Sequence, residues 1–176
     1  KGPHGGDITN QISFDGKWVA FSRSLQGTDD GSGGNNYADF GKWDIYIARV
    51  DGKLPVKPIR IAHGFFPSWG EDSRQGGVKT LYFSRQEERA VYKVRIDDDG
   101  NIVEEETRIG QVPKEGYEGF IFAAPNGQFC AYRKSGAVYT YWWAGPHAGK
   151  SILMTGGCHP HVTADSKWVY HANRNP

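Results

Sequence analysis

The chain has 176 residues, the length of one ordinary domain, with 14% aromatic residues, 24 glycines and 9 prolines, yet its only leucines are Leu25, Leu54, Leu81 and Leu153 and its only methionine is Met154. A composition so poor in these strong helix formers predicts an all-β fold. Its 21 basic and 20 acidic residues give a net charge of +1, which excludes charge-driven disorder, leaves no basic footprint for nucleic acid, and accompanies the absence of any apolar run of about 18 residues that would make a membrane span.

In chain order, Ile8 to Phe14 forms a first extended element, and Asp15-Gly16 is a tight-turn dipeptide feeding the strand Trp18 to Arg23. Residues 26–43 are a Gly-rich insertion, followed by the alternating strand Asp44 to Val50, the turn at Asp51-Gly52 and a short element Ile59-Arg60-Ile61. The same four elements return. Phe65 to Trp69, Lys79 to Arg85, Ala90 to Ile96 and Thr107 to Ile109 form a second set; Phe120 to Ala123, Phe129 to Arg133, Ala137 to Trp143 and Ser151 to Met154 form a third. His159 to Val162 and Lys167 to His171 supply the first two elements of a fourth. Tyr46, Tyr92 and Tyr139 mark the third strand of each full set and stand 46 and 47 residues apart. Four short strands in about 45 residues is the period of a β-propeller blade, and strand following strand without an intervening helix excludes a βαβ arrangement. The blades predicted are 8–62, 65–109 and 118–154, with a half blade at 159–172.

The segments Asp15 to Arg23, Asp44 to Gly52 and Phe66 to Asp72 together resemble the TolB-type, WD-like β-propeller repeat family. Two departures are visible: Phe14 stands where the repeat usually has Pro, and Arg74-Gln75-Gly76-Gly77 lengthens the turn of the second unit. The resemblance implies an exported bacterial protein, periplasmic or extracellular. Similar propellers act as binding proteins, as entry domains of serine peptidases and as the body of some polysaccharide lyases. Because propellers avoid open sheet edges by closing a ring, three and a half blades predict part of a larger six- to eight-bladed ring, completed by further sequence or by another protein chain. A four-bladed ring closed by a partner's strands is the alternative.

Three groups of residues are candidates for chemistry. His159 and His161, at i and i+2 of a predicted innermost strand, project to one face and can approach one divalent metal, Zn, Mn or Ca, with His63 and Glu118 near the same channel mouth. The bland alternative is that these polar groups hydrogen-bond between blades. In the insertion, Asp29, Asp30, Asn35, Asn36 and Asp39 offer oxygen ligands to calcium, while Tyr37, Phe40 and Trp43 offer aromatic area to a glycan or partner surface. Arg23, Arg85, Arg133 and Arg174 recur after the second strand, which predicts a structural role; Arg60 and Arg108 in the outer strand read as solvated edge residues. Cys130 and Cys158 are too few for a disulfide framework, and their pairing is open. No nucleophile elbow, phosphate loop or His-Glu-x-x-His motif is present. The expectation is a non-catalytic propeller scaffold for protein or glycan binding; the alternatives are a fragment of a propeller enzyme, a metal-assisted polysaccharide lyase using His159, His161 or Tyr117 as base, and the propeller domain of a serine peptidase.

Overall fold

The computed structural model describes residues 7–24, 43–52 and 57–172. The fold is all-β. Four antiparallel sheets follow one another along the chain, with four, four, four and two strands. The first contains β1 (Asp7–Ile12), β2 (Trp18–Ser24), β3 (Trp43–Arg49) and β4 (Ile59–His63). The second contains β5 (Phe65–Trp69), β6 (Lys79–Arg85), β7 (Ala90–Ile96) and β8 (Ile102–Gln111). The third contains β9 (Tyr117–Ala123), β10 (Phe129–Lys134), β11 (Ala137–Trp142) and β12 (Ser151–Gly156), and the fourth β13 (Cys158–Val162) and β14 (Val169–Ala172). Each sheet is a simple meander in sequence order. Among the described residues no helix is long and apolar enough to cross a membrane.

What stacks the sheets is the first strand of each. Strand β5 packs against β1, β2 and β3; β9 packs in the same way against β5, β6 and β7, and β13 against β9, β10 and β11. The arrangement is propeller-like. A middle sheet is therefore covered on both faces, and the period of two in its strands divides side chains between two cores. In β6, Leu81 and Phe83 join Trp18, Ile45, Ile47 and Trp69 in the core shared with the first sheet. Tyr82, between them, joins Ile121, Cys130 and Tyr132 in the core shared with the third. The outer strand β8 has no sheet over it, and its residues 102–108 are exposed.

The recurring turn has a physical cause. In three sheets an Asx side chain accepts the backbone N–H two residues on: Lys17 N–H to Asp15 Oδ1 at 3.1 Å, Gln128 N–H to Asn126 Oδ1 at 3.0 Å, Lys167 N–H to Asp165 Oδ1 at 3.2 Å. These are Asx turns, which explains the Asp or Asn in each copy. Gly16 (φ 72°) and Gly127 (φ 68°) supply the left-handed residue that follows. In the second sheet a 3-10 helix, Glu71–Arg74, accommodates the longer loop, and Asp72 reaches past it to accept Thr80 N–H at 2.9 Å. That insertion also binds the neighbouring turns. Ser73 Oγ accepts Phe14 N–H at 3.1 Å, Glu71 N–H donates to Pro125 O at 3.0 Å, and Arg74 donates to Ala164 O at 3.2 Å while lying over the Phe14 ring.

Lys79, 1% exposed, is the one fully buried cation among the described residues. Its ammonium pairs with Asp98 and lies 3.4 Å from Asp15 Oδ2, joining the first two sheets. The hydrogen bond from Lys79, then that from Gly77 N–H, holds the Asp98 carboxyl below its usual range.

Two substitutions separate packing from backbone conformation. Trp69 is fully buried and its indole donates to Gln11 O at 3.1 Å; Trp69→Ala is expected to lower unfolding free energy by about 3–5 kcal/mol. Gly16 has open space where a Cβ would stand, so Gly16→Ala carries only the left-handed penalty, about 1 kcal/mol. Urea titrations of both variants check the ranking.

Candidate functional site

The first strand of every sheet is interrupted at the same place. Pairing shifts register between Ile8 and Gln11 in β1, between Phe65 and Ser68 in β5, between Gly119 and Phe122 in β9, and between Cys158 and Pro160 in β13. Such bulges re-aim the side chains that follow. At the corresponding position of β5 and β9, Phe66 (φ 52°) and Phe120 (φ 59°) are left-handed, a conformation costing about 1–2 kcal/mol each for a bulky residue. The neighbours hold them there: the Phe66 ring lies 4.1 Å from Phe65, 4.2 Å from Phe122 and 5.8 Å from Phe120.

Beyond the bulge, the residue two places before the turn faces inward in all four strands. The turns are closed by the N–H groups of Ser13, Gly70, Ala124 and Thr163, each bonded across the hairpin at 2.8–2.9 Å. Two residues earlier stand Gln11, Ser68, Phe122 and His161, and all four line one cavity of about 180 Å3. Asn10 and Pro67 flank them on one side, Ala123 and Val162 on the other, and Tyr170 of β14 completes the wall. No described lining residue carries a permanent charge. Ser68 is 5% exposed, and its hydroxyl has no hydrogen-bond partner among the described residues. Gln11 Oε1 accepts Trp69 N–H at 2.7 Å, which leaves its NH2 group for the cavity. The His161 ring stacks on Tyr170 at 5.3 Å and packs against Phe122 at 4.4 Å.

Of the histidines expected to share a metal, the structure brings only His161 to this cavity. His159 lies on β13 one bulge position earlier, and its side chain is outside the described residues. His63 ends β4, with Nδ1 3.3 Å from Asp44 Oδ1 and Nε2 3.8 Å from Glu87 Oε1. Glu118 is bound to Arg133 at 2.8 Å and accepts Gly136 N–H. Among the described residues no group of three or more His, Cys, Asp or Glu is placed to hold a metal ion. Tyr37 and Phe40, and the oxygen-rich stretch from Asp29 to Asp39, lie outside the described residues. Trp43, expected to offer ligand-contact area, is 3% exposed, with its ring 5.0 Å from Phe65 inside the core.

Tyr117 is not placed as a base. Burial first, then the proximity of Cys130 and Glu87, raises its phenol pKa far above the ordinary value, and its hydroxyl donates to Gln86 Oε1 at 2.7 Å. Three of the recurrent arginines serve the fold, and Arg174 lies outside the described residues. Phe21 and Tyr46 face each other across β2 and β3 as Phe83 and Tyr92 do across β6 and β7, and Arg23 and Arg85 lie over these ring pairs. Where the third sheet has Ala131 in place of the Phe, Arg133 turns to Glu118. Arg60, read from sequence as a solvated edge residue, is exposed on the outer strand β4 and also forks onto the buried Asp44 carboxylate. Sequence reasoning missed Gln11, Ser68 and Tyr170. The fixed offset from the turn was the available signal for the first two.

No family model matches the chain, and no curated protein does. Among solved structures the fold is similar to a candidate 6-phosphogluconolactonase from Bacteroides uniformis, with a TM-score of 0.52 at 14% identity, covering 97% of this chain and 48% of that one. It is also similar to a functionally unknown protein from Desulfotomaculum acetoxidans, with a TM-score of 0.49 at 15% identity, covering 96% of this chain and 49% of that one. The chain thus spans about half the length of these structures.

Cys130 is a free thiol at the centre of the core between the second and third sheets. Burial pushes its pKa well up, against a smaller lowering from the Tyr141 backbone. Thiolate is the reactive form, so iodoacetamide is expected to leave Cys130 unmodified in the native chain and to label it fully in denaturant, as read by peptide mass mapping.

Proposed function

We propose that this chain is a non-catalytic binding scaffold of the β-propeller type, one arc of a six- to eight-bladed ring, whose axial cavity and adjoining turns receive a protein or glycan partner. The observation that carries this reading is the convergence of Gln11, Ser68, Phe122 and His161, one equivalent residue from each sheet, on a single cavity. Strands that meet at a common axis are what a ring of blades requires. Trp168 and Tyr170, 70% and 55% exposed, add apolar area for such a partner. An exported, periplasmic or extracellular setting is proposed on the resemblance to TolB-type repeats.

Likeness to a candidate lactonase raises a catalytic reading, in which His161 acts as a base on a phosphorylated sugar lactone. The described lining opposes it. A sugar phosphate calls for Arg or Lys against the phosphate, and neither is among the described lining residues.

Two measurements test the proposal. Sedimentation of the native particle is expected to give a mass well above 19.6 kDa; a monodisperse single chain with a cooperative melt contradicts the arc. With 6-phosphogluconolactone, no acceleration of hydrolysis over buffer is expected, and a rate abolished by His161→Ala contradicts the non-catalytic assignment.

A further inference from the structure

We infer that the axial cavity is a subsite for one neutral sugar ring, packed against its aromatic wall of Phe122, His161 and Tyr170 and hydrogen-bonded at its rim by Ser68, Gln11 and Asn10. The inference rests on the reading of this cavity as the binding site and names its ligand class.

Charge narrows the choice first. A carboxylate, phosphate or ammonium buried in the cavity would lose its hydration with no opposite charge among the described lining to compensate, a loss that neutral groups escape. Size narrows it next. At about 180 Å3 the cavity is smaller than the roughly 300–1,000 Å3 typical of drug-sized ligands, which leaves room for a single ring.

The polar groups then select hydroxyls. Ser68 is 5% exposed and lines the cavity, where its hydroxyl can both donate and accept. The Gln11 side chain, its oxygen fixed by Trp69 N–H, offers N–H donors. The Asn10 amide offers both a donor and an acceptor. Sugar hydroxyls donate and accept, so each of these groups has a match. The rest of the wall is aromatic: the His161 and Tyr170 rings are stacked at an interplanar angle of 16°, with Phe122 against His161. Such a surface suits the C–H face of a pyranose, which is apolar while its rim is polar, and an acyclic polyol has no such face to offer.

The ring can be a free monosaccharide or one unit of a glycan, and the arms of the test separate the two. Aromatic 1H–13C spectra of the full 176-residue chain are recorded during titration with glucose, galactose, methyl glucoside and maltotriose, and with glucuronate and glucose 6-phosphate. The expected result is saturable shifts at Phe122, His161 and Tyr170 with at least one neutral sugar, and affinity about tenfold or more lower for its anionic counterpart. Tighter binding of maltotriose than of glucose assigns a glycan unit; equal binding assigns a free sugar. Ser68→Ala is expected to weaken binding about fivefold, and Tyr170→Ala, at an exposed position that leaves the core intact, to weaken it by at least as much. Anion preference, or no shift with any neutral sugar, overturns the inference. The same spectra show whether nuclear Overhauser contacts join the Phe122 and His161 rings. Contacts present without sugar binding overturn the ligand class alone, whereas contacts absent overturn the cavity and this inference with it.

Discussion

A chain of rings ties the four sheets together. Trp43 of β3 touches Phe65 at 5.0 Å; Phe65 touches Phe66 at 4.1 Å; Phe66 touches Phe122 at 4.2 Å; Phe122 touches His161 at 4.4 Å; His161 stacks on Tyr170 at 5.3 Å. Among the described residues no backbone ladder joins one sheet to the next, so side-chain packing, helped by the bonds between neighbouring turns and the Lys79 ion pair, sets their relative position. Aromatic side chains suit this task because each buries a large apolar area with few rotatable bonds. The constraint has a visible conformational cost in the left-handed Phe66 and Phe120, which the rings around them offset.

This constraint also makes the cavity. A straight first strand would send alternate side chains into the two flanking cores. The bulge breaks that alternation and directs a third set of side chains, two residues before each turn, toward the cavity. Packing and site are therefore consequences of one backbone feature. The rings of Phe122, His161 and Tyr170 belong to both: they complete one end of the chain of rings, and they line the cavity.

The repeat itself was legible because its determinants are local. Asx turns bond within two residues, and the Phe21–Tyr46 and Phe83–Tyr92 pairs face each other across adjacent strands, so both leave fixed spacings in the sequence. What could not be read is what depends on contacts between sheets. Arg60 is exposed on its edge strand as the sequence suggested, but its pairing with Asp44, buried and 16 residues away, left no local signal. Trp43 adjoins the Gly-rich insertion in sequence yet packs on the next sheet. His161 and His63 share a residue type suited to metals, but the fold gives one to an aromatic stack and the other to two carboxylates. Ser68 carried no signal of its own, since a serine gains meaning only from its burial and its missing partner.

If the inner strands hold the structure together, they should also be the last part of it to open. Native-state hydrogen exchange reports this directly, because the free energy of local opening falls where packing is thin. In β5 and β9, which are covered by neighbouring sheets, the bonded amides are predicted to be the slowest in the chain and to exchange only through global unfolding. Those of the outer strands β4, β8 and β12 are predicted to exchange earlier, through local opening. Outer strands as slow as β5 and β9, or slower, would contradict an architecture organised from the first strand of each sheet outward.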